Sequence, residues 1–502
     1  MKSTKNQTQH NTVTDPSNEQ TIQLDLRDWI EEIRELGKLK EIPRASWDLE
    51  IGILTDLNVK SHKWTLLFDE IEDYPAGYRL LTGCCLDASR VALTLGLSPK
   101  LNDLQLVEAL RPKLDKIDSN IGQFPFIEVS DAPFLQNRQV GSAIDLEALP
   151  AMRWHEKDGG RYLGTVDAVV TRDPDSDWIN VGTYRMMIHD KQHLGTHINV
   201  SHHARLHAEK YWSRGEDCPI AISLGQHPLI SLLAGMEIPV GVCEYDYAGS
   251  LLLSQYPVVK GPITNLPIPA DSEIVVEGYL TQELRKEGPF GEFMGYYAGG
   301  TIENPVIRVE AVYFRDNPII LGTAGGRPPY DYSYYRCPLR SAMLWNALEK
   351  SGVSGIKGVW CHEAGYSRAL NVLALEQAYM GHAEQVGHLA SQLPEGVFGG
   401  KYVVVVDSDI DPSDTDQVLW AICSRTDPAE NIEFIRNSWG MNLDPMVKIE
   451  HDSQLGELRM SRAIINACKP FDRFIRGDFP EVVDPPVEMK DKILAKWEDI
   501  LA

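Results

Sequence analysis

The order of apolar and polar positions divides the chain into stretches of different period. In DLRDWIEEIRELGKLKEI, Leu26, Trp29, Ile30, Ile33 and Leu36 recur at helical spacing, with Asp25 placed to cap the start and Gly37 to end the helix. Residues 1–20 show no such period and read as a flexible polar tail. Across 21–130, short apolar runs (WTLLFDEI, RVALTLGL) alternate with polar helical segments, the pattern of an α/β region.

From about residue 160 the period shortens to two. GTVDAVVTRD, a DPDSD turn, WINVGTYRMMIHD and THINVS read as an antiparallel meander. A helix is expected near 204–213, followed by PIAISLG, the helical LISLLAGM, and the strands SEIVVEGYL and PVIRVEAVYF. Successive strands with few helices between them predict a barrel-like β domain, assigned to 131–325. GTAGGRPPYDYSYY reads as a domain boundary or a loop over a site.

Beyond it, helical LRSAMLWNALEKSG, strand KGVWCHE, helical HAEQVGHLASQL and strand KYVVVVD predict an α/β domain over 326–480. KYVVVVD has the continuous apolar character of a strand buried on both faces. Over 481–502, Met489, Ile493, Trp497 and Ile500 line one face of a final helix, which must pack on its own domain or on a partner subunit. The expected fold is therefore a mixed α+β or α/β multidomain chain.

Composition narrows the function. Lys and Arg total 48 against 72 Asp and Glu in 502 residues, a net charge of −24. That balance argues against a broad footprint on nucleic acid or an anionic membrane, while a basic pocket for one small anion stays open. The eight cysteines form no C-x-x-C pair, so neither a zinc ribbon nor a disulfide framework is expected. With no secretory apolar core and no run of roughly 18–20 apolar residues, the reading is a reduced, soluble, cytoplasmic enzyme.

Several common signatures are missing: no P-loop, no G-x-G-x-x-G and no G-x-S-x-G. Six of the 14 histidines (189, 193, 197, 202, 203 and 207) fall within 19 residues. His189, His193 and His197 have zincin-like spacing, but residue 190 is Asp rather than Glu and the flanking pattern is that of a strand. Imidazoles four apart on a strand still share a face and can line one pocket.

Two segments carry chemistry. In EGPFGEFMGYY, Glu287 and Glu292 bracket a Gly-Pro-Phe-Gly turn, and two carboxylates brought together perturb each other so that one can stay protonated as a general acid. A solvated acidic turn is the competing reading. In NVGTYR, expected on a strand, Asn180 and Arg185 stand five apart. Asn180, Glu244 and a histidine from 197–203 could complete a hard-cation site, and a buried Arg185 would need a carboxylate or phosphate. Singly, each has a structural explanation: a turn residue, a solvated strand residue and a surface ion pair.

In order along the chain, N-V-G-T-Y-R, H-D-K, C-E-Y-D-Y-A-G, S-E-I-V-V-E-G and E-G-P-F-G-E-x-x-G-Y-Y resemble the UbiD-like decarboxylases, as do DLRDWIEEIRELGKL and VVVVDSDIDPSDTDQVLWAICSRTDP. The family uses prenylated FMN to interconvert unsaturated or aromatic carboxylic acids with CO2 and the parent compound. The resemblance implies a central split β-barrel carrying the flavin between α/β regions, and a C-terminal helix that joins subunits into a dimer or hexamer. It implies catalytic roles for Arg185, Glu287 and Glu292, with Glu292 the proton donor. It places a divalent cation such as Mn²⁺ on Asn180, His203 and Glu244, with His202 able to exchange roles with His203, and K⁺ on carbonyls around Leu233, Ala234 and Met236. Flavin contacts fall on Thr183, Tyr184, Arg185, Ile198, Asn199, His202 and His203. The phosphate-contacting lysine of ferulate-type members has no gap-free equivalent, and Lys401 is the nearest candidate. A flavin prenyltransferase would supply the cofactor. Arg327, Tyr330, Tyr332 and Tyr334 are the candidate pocket walls, against a surface loop with scattered tyrosines. An aryl-CoA carboxylate, a non-catalytic scaffold and a plain FMN oxidoreductase are the alternatives.

Overall fold

The computed structural model describes residues 24–441, 443–449, 458–486, 489–490, 492–493 and 495–497. The first helix spans Leu26–Glu35. The Asp25 side chain accepts from the Arg27 amide at 2.8 Å, and Leu26, Trp29, Ile30 and Ile33 are buried. Gly37 follows at φ +68°, in the left-handed region that ends helices. The expected cap and stop are present, and so is the stripe except at Leu36, which follows the helix and is exposed.

A four-stranded sheet comes next in the order Leu39–Pro43, Thr65–Asp69, Arg79–Thr82 and Ile319–Leu321. Its last member arrives from beyond the central sheet and pairs in parallel with Arg79–Leu81, which ties the two layers together.

The central sheet has nine strands, antiparallel throughout. Its path runs Tyr162–Gly164, Met186–Asp190, His193–Thr196, Ile302–Phe314, Ile274–Glu287, Cys218–Leu224, Ala168–Arg172 and Ile179–Gly182, with Asn137–Val140 added on Ile302–Phe314. The two end strands do not pair with each other, so the curled sheet is a half-barrel with an open seam. Thr183, Tyr184 and Arg185 join the strand at one end, Ile179–Gly182, directly to Met186–Asp190 near the other. Arg185 was expected on a strand; the strand stops at Gly182, and Arg185 lies on this three-residue bridge.

The C-terminal sheet orders Ile356–Cys361, Leu370–Leu375, Tyr402–Asp407, Leu458–Ala467 and Ile432–Trp439, with Lys448–Ile449 on Leu458–Ala467. Val404, Val405 and Val406 have no exposed surface, as the apolar run predicted. The helix Arg336–Lys350 packs against the helix Asp103–Asp115, where the Arg111 guanidinium lies 4.2 Å from the Trp345 ring centre.

The tyrosine-rich connection is core. Tyr330, Tyr332 and Tyr334 are 6–7% exposed, and the Tyr334 hydroxyl donates to Asp103 at 2.5 Å. The wall role expected of Tyr332 and Tyr334 gives way to a packing role, because their rings glue the N-terminal region to the rest. Tyr330 approaches the acidic turn, with its ring 6.4 Å from that of Phe293. In the closing segment Met489, Ile493 and Trp497 are helical and about half exposed within this single chain, while Ile500 lies outside the described residues.

Candidate active site

Each half of the acidic turn is placed by the strand or loop behind it. Glu287 is the last residue of Ile274–Glu287, and Gly288 follows at φ +83°, a conformation an L side chain resists. The loop 155–161 clamps what comes next. The Asp158 carboxylate accepts from the Gly291 amide at 3.0 Å and from the His155 amide at 2.9 Å, and the Gly159 amide donates to the Pro289 carbonyl at 2.8 Å. A side chain on Gly159 would collide with the Gly288 carbonyl, so the close approach requires glycine. Glu292 is turned back by its own amide, which donates to the Tyr296 carbonyl at 3.0 Å.

The bridge residue Arg185 meets both acids. Its Nε and Nη2 donate to Glu287 Oε1 and Oε2, each at 2.9 Å, and its Nη1 donates to Glu292 Oε1. The guanidinium lies over the Phe290 ring at 5.1 Å. The three side chains are nearly sealed: 9% exposed for Arg185, 0% for Glu287 and 10% for Glu292. The competing readings of a surface ion pair and a solvated turn fail on that burial.

The two carboxylates are not equivalent. Glu287 also accepts from the Tyr162 hydroxyl and from the Asn304 amide, both at 2.9 Å, whereas among the described residues Glu292 accepts from Arg185 alone. Burial favours the neutral form of both acids. At Glu287 the hydrogen bonds and charge of Arg185, with Tyr162, override it and hold the group below the usual carboxylate range. At Glu292 burial wins and pushes the group up. Burial also works against the charge on Arg185, but Glu287 and Glu292 hold it more firmly protonated than usual.

Behind the bridge, the expected cofactor segments converge. The Thr183 amide donates to the Ala234 carbonyl at 3.2 Å, and the Val181 amide to Glu244 Oε2 at 2.7 Å. Glu244 opens the helix Glu244–Leu252 rather than sitting on a strand, and it is 4% exposed. Burial pushes its carboxyl up to about 8, since only that amide and its own helix backbone stabilise the charge. Asn180 is buried with its Nδ2 unpartnered, and the neighbouring Trp178 ring lies 4.8 Å from that of His203, which begins the helix His203–Ser213. Glu244 is a buried carboxylate with no cationic partner among the described residues; with the Asn180 amide oxygen and the His203 imidazole it would make a donor set that suits a hard or borderline divalent cation. The Leu233 carbonyl accepts from the amide of Met236 and the Ala234 carbonyl from that of Thr183, and a carbonyl oxygen's second lone pair could take a hard cation. Clusters of three or more His, Cys, Asp and Glu are absent among the described residues, and the expected triad contains only two side chains of those types.

Tyr184 lies 5.5 Å, ring to ring, from His202, and Ile198 is buried next to Asn199, whose carbonyl accepts from the His202 amide at 3.0 Å. Lys401 stands apart from this group, paired at 2.6 Å with Asp444. Arg327 is exposed, and its backbone packs against Gly295 of the acidic turn.

Sequence reasoning passed over four residues that shape the site, Tyr162, Asp158, Asp167 and Asn304, and marked His197 only as one of a cluster of histidines able to line a pocket. Asp167 is fully buried beneath the bridge, accepting from the Thr183 hydroxyl and the Tyr184 amide at 3.0 Å each, and burial raises its carboxyl to about 7. Asn304 was within reach of strand logic: Ile302 pairs with Glu287, so Asn304 is its diagonal neighbour on the adjoining strand. No local signal marks the others.

Three family models cover most of the chain. They are the N-terminal, Rift-related and C-terminal domains of 3-octaprenyl-4-hydroxybenzoate carboxy-lyase, or UbiD, at 30–110, 127–328 and 333–467. A phenolic acid decarboxylase of Escherichia coli O157:H7 is 32% identical over 476 residues, covering 92% of this chain and 96% of its own. A pyrrole-2-carboxylic acid decarboxylase of Pseudomonas aeruginosa is 30% identical over 422 residues, covering 81% and 84%. An evolved dimeric form of the UbiD-class enzyme HmfF from Pelotomaculum thermopropionicum, solved in complex with prFMN, superposes with a TM-score of 0.77 at 25% identity, covering 93% of this chain and 98% of that one. The half-barrel, the Arg185–Glu287–Glu292 site on its seam and these matches have one conclusion: the chain belongs to the UbiD family of carboxy-lyases.

Proposed function

We propose that this protein catalyses the reversible, non-oxidative decarboxylation of an aromatic, heteroaromatic or α,β-unsaturated carboxylic acid with prenylated FMN, and that Glu292 donates the proton that replaces the carboxylate. The observation that carries the proton assignment is the inequality of the two acids. Glu287 accepts four hydrogen bonds, two of them from Arg185, and stays charged; Glu292 accepts one and is pushed toward its neutral form.

When bound, the modified flavin supplies the electron sink that loss of CO2 from an sp² carbon requires. Arg185 and Glu287 then form a fixed ion pair that orients Glu292, and Glu292 delivers a proton to the carbon that CO2 has left. The sealed surroundings keep water from competing for that proton. Asn180, His203 and Glu244 would hold Mn²⁺, and the carbonyls of Leu233, Ala234 and Met236 would hold K⁺ with Glu244. Two cations there would offset the phosphate charge in a chain of net charge −24. Thr183, Tyr184, Ile198, Asn199 and His202 would hold the isoalloxazine, and Lys401 would reach the phosphate after exchanging partners. Homo-oligomerisation through the terminal helix, a flavin prenyltransferase as cofactor supplier and a cytoplasmic location complete the reading. Among the described residues no helix is long and apolar enough to cross a membrane.

The test is anaerobic purification after co-expression with a flavin prenyltransferase. The released cofactor should be one dimethylallyl unit heavier than FMN, and the protein should release CO2 from members of an aromatic, heteroaromatic and acrylic acid panel. Unmodified FMN bleached by NAD(P)H would support an oxidoreductase instead, and a folded chain with no flavin would support a scaffold.

A further inference from the structure

The inequality between Glu287 and Glu292 has a structural source outside the catalytic trio. Tyr162 opens the short strand Tyr162–Gly164 at the edge of the half-barrel, 1% exposed, with its ring 4.5 Å from that of Phe290 and its hydroxyl on Glu287 Oε1. Asn304 lies on Ile302–Phe314, 6% exposed, with its Nδ2 on Glu287 Oε2. The same Nδ2 lies 3.2 Å from His197 Nδ1. An amide nitrogen has two hydrogens, so one goes to the carboxylate and the other to the imidazole. The reverse amide orientation would set its oxygen against a carboxylate. Asn304 is thereby fixed in orientation, and His197 is fixed as the tautomer with the hydrogen on Nε2.

We propose that Tyr162 and Asn304 are positioning residues that pin the negative charge of the acid pair on Glu287, and so direct the site's exchangeable proton to Glu292, with His197 as the neutral acceptor that holds Asn304 in place. This rests on the decarboxylase reading only where turnover is concerned; the electrostatic claim stands on the chain alone. The charged and titratable groups that face Glu287 are Arg185 on the bridge, Glu292 across the turn, Tyr162, His189 on Met186–Asp190 and His197 just after His193–Thr196, with Asp158 reaching Tyr162 and Glu292. Burial, with the charge of Arg185 added, pulls His197 down to about 4, which keeps it uncharged and able to accept. Neither Tyr162 nor Asn304 replaces Arg185: they bias where a proton sits and touch no reacting atom.

Tyr162→Phe keeps the ring on Phe290 and removes only the donor. Asn304→Leu keeps the volume and removes the amide. In the wild type the held-down Glu287 contributes stability that is present above the unfolded carboxylate value of about 4.3 and is lost as pH falls through the folded value. The double variant forfeits that contribution. Its urea midpoint, measured on the cofactor-free chain, should therefore lie below wild type at neutral pH, and the gap should close only as pH falls below about 4.3, through the held-down Glu287 value. A gap that is constant with pH means lost packing and overturns the proposal. If the double variant does not fold, Tyr162→Phe alone carries the same comparison.

In the loaded enzyme the double variant should lose turnover by roughly tenfold or more at its pH optimum, since each hydrogen bond to a charge is worth at least a factor of ten. Its alkaline limb should move to higher pH as the proton is shared with Glu287. An unmoved limb contradicts the proposal. A pH-dependent stability gap without decarboxylation of any acid would retain the positioning role and discard the decarboxylase reading instead.

Discussion

Two Arg–Glu clusters in this molecule are built from the same side chains in opposite ratio. On the half-barrel seam one arginine, Arg185, serves two carboxylates, Glu287 and Glu292. Between the half-barrel and the C-terminal domain, Glu237 pairs with Arg368 and with Arg340 at 3.1 Å, with Arg336 adding its charge nearby. Burial opposes charge in both places, yet the outcome differs. With cations in excess, Glu237 is held well below the usual carboxylate range, and burial instead pulls Arg368 down to about 10. With anions in excess, burial raises Glu292. The minority charge is locked, and the majority charge contains the group that can give up its ionised state. Only the acid-rich cluster has that group as a carboxyl, raised by burial toward its neutral form, and it is the cluster the proposed chemistry uses.

Arg185→Leu should produce the largest effect, by removing the one cation that, among the described residues, pairs with a sealed pair of acids. A loss of about 3–5 kcal/mol is expected, the cost of breaking a buried ion pair. Both carboxyls would then titrate above their unfolded values, so the loss should be greatest at neutral pH and recede as pH falls. Urea unfolding from pH 7.5 to pH 5 checks this, and a loss independent of pH would break the comparison.

Glu292→Gln should retain the fold and the flavin while turnover falls by roughly 10² to 10⁴, the range for a positioned general acid. Wild-type-like turnover would remove Glu292 from the mechanism. In the unmutated enzyme, turnover should decline as pH rises through the raised Glu292 value, because the neutral carboxyl is the active form. The same rise removes whatever stability the neutral Glu292 contributes, which is fully present only below its unfolded value of about 4.3.

The smallest effect belongs to Glu237→Gln. The Glu237 side chain is half exposed, so solvent screens its pairs, and a stability loss of about 1 kcal/mol or less is expected. Its contribution is present above the unfolded carboxylate value and fades as pH falls, opposite in sign to that of Glu292. Equal and parallel pH profiles for the two variants would erase the distinction between the clusters.

What could be read from the chain divides along physical lines. Periodicity located the first helix with its cap and stop, the antiparallel meander and the valine strand, because those depend on neighbours in sequence. Ordered motifs brought Arg185, Glu287 and Glu292 together before any contact was seen. Tyr162 and Asp167 were illegible because their roles arise from which hydroxyl or amide tertiary packing brings to which carboxylate, and no local pattern encodes that; Asn304 needed only the register of its strand against Glu287. The tyrosine-rich stretch misled for a related reason. Its glycines and prolines do form a loop, but Tyr332 and Tyr334 point into the seam between layers, a direction set by tertiary packing.

The most direct test asks which glutamate holds the proton. Infrared difference spectra of the cofactor-free protein, titrated through neutral pH, would show the C=O stretches of buried protonated carboxyls, those of Glu244 and Asp167 among them. The account predicts one component that Glu292→Gln abolishes and Glu287→Gln does not. A band that survives Glu292→Gln and vanishes in Glu287→Gln would place the proton on the wrong acid and contradict the account.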